Sequence, residues 1–159
     1  MATLVQAQSF RPANRVLESI LTPAERRALR WFAAHMPARV NSDHLTVLGL
    51  VSMIAAGFAY CAASREPLVL IAVCVFLGLN WFGDSLDGTL ARFRDQQRPR
   101  YGFYVDHVID AVGSLFLLGG LALSGYMHPA IAIGLLLAYN LLAMESYLAS
   151  YTIGEFRLT

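Results

Sequence analysis

Residues 67–93 have the sequence PLVLIAVCVFLGLNWFGDSLDGTLARF. The stretch begins as an almost uninterrupted apolar run, and it then carries Asp84 and Asp87 before it reaches Arg92. A helix that crosses a bilayer needs about 20 mostly apolar residues. An ionisable side chain at membrane depth is costly, and by default it marks a functional site. The stretch therefore predicts a membrane helix with a polar site near one end.

Three more apolar stretches accompany this one, at Leu45–Ser64, Gly102–Tyr126 and Pro129–Thr152. The links between them are short, which predicts antiparallel neighbours in a compact bundle. Of 159 residues, 57% are hydrophobic and only 14% are charged, which excludes a disordered chain, a coiled coil and a nucleic-acid-binding module. We predict an all-α polytopic membrane bundle with four transmembrane helices. The two cysteines have neither disulfide-framework nor zinc-site spacing.

The N-terminal part is predicted to be a cytoplasmic segment, residues 1–40, before a transmembrane domain, residues 41–159. Residues 1–20 have no apolar core of a signal peptide, so we expect no cleavable signal. Thr22, Pro23 and Glu25 form a helix-start pattern. We therefore predict an amphipathic helix over Pro23–His35 that lies at the membrane interface and carries Trp31. A solvated helix without lipid contact is the alternative.

The basic residues orient the bundle, and all twelve are arginines. Only Arg65 falls on the far side of the predicted membrane. The other eleven are Arg11, Arg15, Arg26, Arg27, Arg30, Arg39, Arg92, Arg94, Arg98, Arg100 and Arg157. The positive-inside rule places these eleven in the cytoplasm. An arginine-only set fits a GC-rich bacterial genome, so we expect a bacterial inner membrane with a site that faces the cytoplasm.

A second pair of acids, Asp106 and Asp110, lies in the first turns of the third span. The i,i+3 spacing of Asp84 and Asp87 and the i,i+4 spacing of the second pair place each pair on one helical face. At 1.5 Å per residue, Asp84 and Asp110 both lie about 12 Å from the predicted helix ends. Four converging carboxylates repel one another unless divalent cations bind between them. Oxygen ligands favour Mg²⁺, Mn²⁺ or Ca²⁺ over zinc.

Small residues and Arg92 surround these acids. A glycine within a helix costs about 1 kcal/mol relative to alanine, so Gly83, Gly88, Gly102 and Gly113 indicate close packing or ligand approach. Arg92 is placed to meet a phosphate. Metal ligands beside an arginine at a membrane surface favour phosphoryl transfer on a lipid or headgroup. A divalent-cation carrier is the rival function, but all four acids lie in one leaflet and no acid continues the path.

The whole pattern resembles the signature of the CDP-alcohol phosphotransferase (CDP-alcohol phosphatidyltransferase) family. All eight fixed positions are filled by Asp84-x2-Asp87-Gly88-x2-Ala91-Arg92-x9-Gly102-x3-Asp106-x3-Asp110. The segment Asn41-Ser-Asp-His-Leu-Thr46 also resembles the family's weaker pre-helix motif. Such enzymes join a CDP-linked donor to an alcohol acceptor and release CMP.

The resemblance implies roles for individual residues. The four acids Asp84, Asp87, Asp106 and Asp110 would bind two Mg²⁺ or Mn²⁺ ions, and Asp110 would also be the general base. The nucleotide contacts would come from Gly88, Ala91, Arg92 and Gly102, with Asp43 and Thr46 as weaker candidates. The resemblance also implies a homodimer.

The acceptor and the completeness of the chain stay open. Family members commonly have six spans, and this sequence ends after the fourth, so we expect a truncated chain or a short member, with a non-catalytic member as one alternative. Ala111 follows the last acid, as in choline and ethanolamine phosphotransferases. Two donors therefore remain, CDP-diacylglycerol for transfer to an alcohol and CDP-choline or CDP-ethanolamine for transfer to diacylglycerol.

Five more residues are candidates for the acceptor site or for support of the ligands: Asn80, Arg98, Arg100, His107 and Glu145. Asn80 lies one turn before Asp84 and is expected to orient it or to cap a kink. His107 is expected to pack or to hydrogen-bond between helices rather than bind a phosphate. Glu145, buried in the fourth span, is expected to line the acceptor pocket, to pair with a loop arginine or to form a structural hydrogen bond. Arg98 and Arg100 either hold an acceptor phosphate or only satisfy the positive-inside rule.

Overall fold

The computed structural model of the protein describes residues 22–153, which are helical apart from short turns. The helices are α1 (Thr22–His35), α2 (Ser42–Ala63), α3 (Leu70–Phe93), α4 (Pro99–Leu123) and α5 (Pro129–Ile153), with a single 3-10 turn at Pro67–Val69 before α3. Four of them, α2, α3 with its 3-10 turn, α4 and α5, are long and apolar enough to cross a membrane. The predicted all-α polytopic bundle is confirmed.

Local sequence signals explain where the helices begin and end. The α2 helix begins three residues earlier than predicted, where the Asn41 amide donates to His44 Nδ1 at 3.0 Å. The α4 helix begins at Pro99 because proline is favoured in a first helical turn. It ends three residues before the predicted Tyr126. The turn that follows contains Gly125 with φ of +79°, a conformation that favours glycine.

Helix α2 is the centre of the bundle. It packs against α3 on one side and α4 on the other, while α5 packs on α4 and α1 packs on α3. Within residues 22–153, α3 and α4 make no extensive contact with each other. The expectation that these consecutive helices are packed neighbours is therefore wrong, because α2 lies between them.

Small residues allow these close approaches. A methyl group on Gly57 of α2 would overlap the Phe116 carbonyl of α4, and one on Gly120 would overlap Gly57. Gly120 is thus a packing position between the two helices, whereas Gly119 faces open space. The close α2–α4 contacts begin at Gly113, which lies against Met53. The turns of α4 that carry the acids come before this contact. Both cysteines are free thiols.

Helix α1 is attached to the bundle rather than separate from it. Leu29 and Ala33, one turn apart, are buried against a cluster that includes Leu86 and Leu90 of α3. The predicted amphipathic character is confirmed. The apolar residues of α1 do not all face α3, however, because Trp31 remains 57% exposed. The interfacial position of the helix stays a prediction.

An arginine of the α3–α4 loop holds the end of α1 in place. The guanidinium of Arg94 donates to the carbonyls of Val40 at 2.5 Å and of Met36 and Pro37 at 3.0 Å. These carbonyls follow α1, where backbone acceptors lack helical partners. We call this end of the bundle, with the start of α2 and the α3–α4 loop, the Arg-rich end.

Several predictions concern residues outside the described range. They include the 1–20 segment and its lack of a signal peptide, together with Arg11, Arg15 and Arg157. The division into residues 1–40 and 41–159 also stays a prediction. Arg65 lies at the opposite end from the Arg-rich end, as expected from the connectivity of the helices.

Candidate active site

Asp87 lies where α2 and α3 are in contact, and it is only 8% exposed. Its Oδ2 accepts a hydrogen bond from the Thr46 hydroxyl at 2.6 Å, and its Oδ1 accepts from the Gly88 amide. The Ser42 hydroxyl donates to the Asp87 main-chain carbonyl at 2.9 Å. The first turns of α2 therefore contact both the side chain and the backbone of this acid.

Glycines bring α2 and α3 close enough for these bonds. A Cβ atom on Gly83 would lie 2.6 Å from the Leu45 carbonyl oxygen and 3.1 Å from the Gly49 nitrogen. Asn80, one turn earlier on α3, donates to the Gly49 carbonyl at 3.2 Å. Small residues in this position permit backbone-to-backbone contact between membrane helices. The contact of Thr46 with Asp87 is a consequence of this approach.

The other three acids lie in the same part of the bundle. Asp84 is exposed on α3, and on α4 Asp106 is half-buried and Asp110 is exposed. The charges of Asp84 and Asp106 both act on Asp87. Asp106 of α4 therefore lies near the two acids of α3, across the gap that remains between α3 and α4 because α2 separates these helices.

Tyr139 of α5 also belongs to this site. Its hydroxyl lies within reach of the charges of Asp110 and Asp84. Nearby, Asn140 donates to the Ser114 hydroxyl at 3.2 Å and attaches α5 to α4. The site is therefore bordered by helices α2, α3, α4 and α5.

An ion pair lies at the opening of the site. The Arg98 guanidinium donates to Asp43 Oδ1 at 2.5 Å, and both side chains are half-exposed. This hydrogen bond raises the pKa of Arg98 above its usual value. Arg98 also lies over the Tyr101 ring, 4.7 Å from its centroid. The pair connects the start of α2 to the residue before α4.

Comparison with family models identifies residues 39–154 as a CDP-alcohol phosphatidyltransferase domain. The match covers well over half of the chain, including all four acids and the segment that carries Thr46. The chain belongs to the CDP-alcohol phosphatidyltransferase family. Comparison with curated proteins and with solved structures gave no match. Membership implies transfer of a substituted phosphate group from a CDP-alcohol to an alcohol acceptor.

The carboxylates of this site fit a divalent cation by their chemistry. They supply only oxygen ligands, and their like charges act on one another. Such donors suit Mg²⁺ or Mn²⁺. Among the described residues, no three His, Cys, Asp or Glu side chains lie close enough together to hold an ion as they stand. The ligand set therefore stays a prediction that the donor chemistry supports.

The predicted nucleotide contacts occupy the last turns of α3 and the first turn of α4. A Cβ atom on Gly88 would lie 3.4 Å from the Arg92 guanidinium, so these two residues are direct neighbours. Arg92 is exposed and donates to the Thr89 hydroxyl at 3.2 Å. Ala91 is half-buried, and Gly102 faces open space. Their contact with a nucleotide stays a prediction.

The supporting candidates Asn80 and His107 have other partners than expected. The amide nitrogen of Asn80 donates to the Gly49 backbone carbonyl of α2, and its orienting of Asp84 stays a prediction. His107 Nδ1 lies 2.7 Å from the Phe103 carbonyl of its own helix, and its ring packs against Tyr147 of α5. The expected packing role of His107 is confirmed, while its hydrogen bond is within α4 and not between helices.

Glu145 and Arg100 are both exposed. Glu145 is exposed on α5 and not buried as predicted, because α5 packs mainly against α4 and leaves most of its surface uncovered. In the described residues the ion pair observed is that of Arg98 with Asp43, and Glu145 forms none with the loop arginines. Arg100 is exposed in the first turn of α4.

The sequence analysis did not identify Ser42, Arg94 or Tyr139 as important residues. Ser42 lies four residues before Thr46, and that i,i+4 spacing is the signal that places both hydroxyls on one face. Nothing in the local sequence of Arg94 distinguishes it from the other loop arginines. Tyr139 lies two turns before Tyr147 on the same face of α5, but only the packing of α5 on α4 reveals what it faces.

Proposed function

We propose that the chain transfers a phosphatidyl group from CDP-diacylglycerol to an alcohol acceptor and releases CMP. The observation that carries the proposal is the position of four acids on the two sides of one gap, within three turns of the Arg-rich ends of α3 and α4. Asp87 and Asp106 lie about 9–10 Å, and Asp84 and Asp110 about 14–16 Å, from the ends of α3 and α4. A donor anchored in the bilayer by its acyl chains would present its pyrophosphate near that depth.

The four acids would hold two divalent cations, Mg²⁺ or Mn²⁺. When bound, these ions would offset the negative charge of the pyrophosphate and of the departing CMP. Asp87 is already held by Thr46 and Gly88. The three less buried acids, Asp84, Asp106 and Asp110, would supply the remaining oxygen ligands from α3 and α4.

Asp110 would act as the general base. It would accept the proton of the acceptor hydroxyl as that oxygen forms a bond to the phosphorus that carries diacylglycerol. The bond from this phosphorus to the bridging oxygen breaks, and CMP leaves with that oxygen. A carboxylate becomes a useful base when like charges or desolvation disfavour its ionised form. The neighbouring acids of this site provide like charges.

The donor would lie along the last turns of α3. Gly88 and Gly102 would let the nucleotide approach the backbone, and the Arg92 guanidinium beside Gly88 would bind its phosphate. Asp43 and Arg98 form the ion pair at the opening, where either is placed to contact the donor or the acceptor. Arg100 is placed near the same opening.

The active site would face the cytoplasm of a bacterial inner membrane. Four arginines of the α3–α4 segment lie at the Arg-rich end, and Arg65 lies at the other end. This asymmetry is what the positive-inside rule requires for a cytoplasmic loop. We further propose that the enzyme is a homodimer, which light scattering of the purified protein would test.

A CMP-release assay tests this function. The full chain, purified in micelles, is mixed with CDP-diacylglycerol, Mg²⁺ or Mn²⁺, and glycerol-3-phosphate, inositol, inositol phosphate or serine in turn. Mixtures of CDP-choline or CDP-ethanolamine with diacylglycerol are tested in parallel. With CDP-diacylglycerol we expect CMP release that depends on the acceptor and that EDTA abolishes. CMP release only with CDP-choline or CDP-ethanolamine would instead make diacylglycerol the acceptor and contradict the proposed donor.

Matched variants sharpen the assay. Asp110→Asn should lose activity, while Asp95→Asn, in the exposed α3–α4 loop, should retain it. Absence of release with every pair would contradict catalysis. Absence of metal-dependent CDP binding as well would favour the divalent-cation carrier.

A further inference from the structure

We propose that Thr46 is a positioning residue, whose hydroxyl orients the Asp87 carboxylate for binding a divalent cation. The inference rests on the proposed metal-binding role of the acids and deepens it. The resemblance to the family places Thr46 among the weaker nucleotide contacts. The structure instead assigns its hydroxyl to an acid of the site.

The hydrogen bonds of Asp87 carry the inference. Oδ2 accepts from Thr46 at 2.6 Å and Oδ1 accepts from the Gly88 amide, so each carboxylate oxygen has one donor. Neither donor contacts the carboxylate from the gap between α3 and α4, because Thr46 belongs to α2 and Gly88 is the next residue of α3. A carboxylate oxygen that accepts one hydrogen bond retains a further lone pair for a cation.

The position of Thr46 is itself constrained. Its Oγ1 lies 3.1 Å from the Ser42 carbonyl, and Ser42 in turn donates to the Asp87 carbonyl at 2.9 Å. The backbones of α2 and α3 are in direct contact here, since Gly83 admits the Leu45 carbonyl without space for a Cβ atom. The contact between α2 and α3 therefore holds Thr46 against Asp87.

This arrangement suits a ligand that must keep its orientation. Groups that hydrogen-bond to a metal ligand without contacting the metal themselves typically contribute about 10–100-fold to metal affinity. A threonine hydroxyl has one hydrogen to donate. Because that hydrogen is directed to Asp87 in a short bond, a direct role in donating to a nucleotide phosphate would require the bond to break.

Binding of Mn²⁺ alone to the purified full chain, followed by electron paramagnetic resonance of the free ion, tests the inference without turnover. Thr46→Val preserves the shape of the side chain and removes the hydroxyl, and it should weaken Mn²⁺ binding on the order of 10–100-fold. Thr46→Ser retains the donor and should restore binding close to that of the wild type. Ser52→Ala removes a buried hydroxyl of the same helix and should leave Mn²⁺ affinity unchanged.

Two further measurements separate orientation from folding and from nucleotide contact. Thermal unfolding of each variant monitors stability, and Thr46→Ala replaces Thr46→Val if the valine variant does not fold. CDP binding at saturating Mn²⁺ should be the same for wild type and Thr46→Val. Loss of that binding with unchanged Mn²⁺ affinity would assign Thr46 to the nucleotide instead and overturn the inference.

The outcomes distinguish this inference from the proposed function. Equal Mn²⁺ affinity for wild type and Thr46→Val would overturn the role of Thr46 alone. If the wild-type chain bound no Mn²⁺, the metal site and this inference would both be wrong. A loss in Thr46→Val that Thr46→Ser does not restore would also overturn the role of the hydroxyl.

Discussion

Replacing Gly83 with alanine tests the contact that builds the site. The added Cβ atom would lie 2.6 Å from the Leu45 carbonyl oxygen, and ordinary van der Waals contact begins at 3.4 Å. Helices α2 and α3 would therefore have to separate locally by about 0.8 Å. The same movement would lengthen the Thr46–Asp87 hydrogen bond from 2.6 Å to roughly 3.4 Å. That value lies outside the normal range for O–H···O bonds.

The expected energetic effect follows from the overlap. Adding a methylene-sized group to a packed contact typically costs about 1–3 kcal/mol. For a chain of this size each kcal/mol lowers the unfolding midpoint by about 2–4 °C. Gly83→Ala should thus unfold roughly 2–12 °C below a helical glycine-to-alanine variant that has no such overlap, since both gain about 1 kcal/mol of helix propensity. It should also weaken Mn²⁺ binding, because Asp87 loses its donor.

Thermal unfolding of the purified protein in micelles, followed by circular dichroism, measures the effect. Gly78→Ala is the matched control, since it lies on the same helix and its added Cβ atom meets nothing within 4 Å. This control should keep or raise the midpoint. Equal midpoints and equal Mn²⁺ affinities for the two variants would refute the reasoning, because propensity alone treats both positions alike.

Three further changes test other parts of the structure. Asp110→Asn should abolish CMP release yet retain CDP binding in a binding assay, and normal turnover would refute its role as the base. Arg94→Ala should lower the unfolding midpoint and speed proteolysis near α1, because three backbone carbonyls lose a charged donor. Arg100 is exposed, so the free energy of unfolding of Arg100→Ala should stay within about 0.5 kcal/mol of that of the wild type. Equal unfolding midpoints for Arg94→Ala and Arg100→Ala would refute the anchoring role of Arg94. Gly120→Ala should destabilise the bundle through backbone overlap, whereas Gly119→Ala faces open space, so an unchanged unfolding midpoint for Gly120→Ala would contradict the α2–α4 packing.

Much of the architecture could be predicted from local sequence. Long apolar runs must be helical at membrane depth, because the backbone has no other partners there. Proline and glycine then set the boundaries, as at Pro99 and Gly125. The sequence also predicted that Asp84 and Asp110 lie in the same region of the bundle. The rise per residue of a helix gives the distance of each acid from the end of its helix.

The prediction of Glu145 as buried was wrong for a reason that lies outside local sequence. Hydropathy places a residue within a span, but it does not say which side of the helix has a neighbour. Helix α5 packs mainly against α4 among the described helices, so most of its circumference is exposed. The same limit explains why Tyr139 was not identified.

The sequence by itself determined that this chain forms membrane helices with four acids near one end, because hydrophobicity and helical periodicity act over neighbouring residues. Only the tertiary structure decided that α2 lies between α3 and α4, that Thr46 binds Asp87 and that Arg94 anchors the end of α1. These contacts join residues more than forty positions apart. They depend on which glycines of two helices meet, and a single-helix pattern does not contain that information.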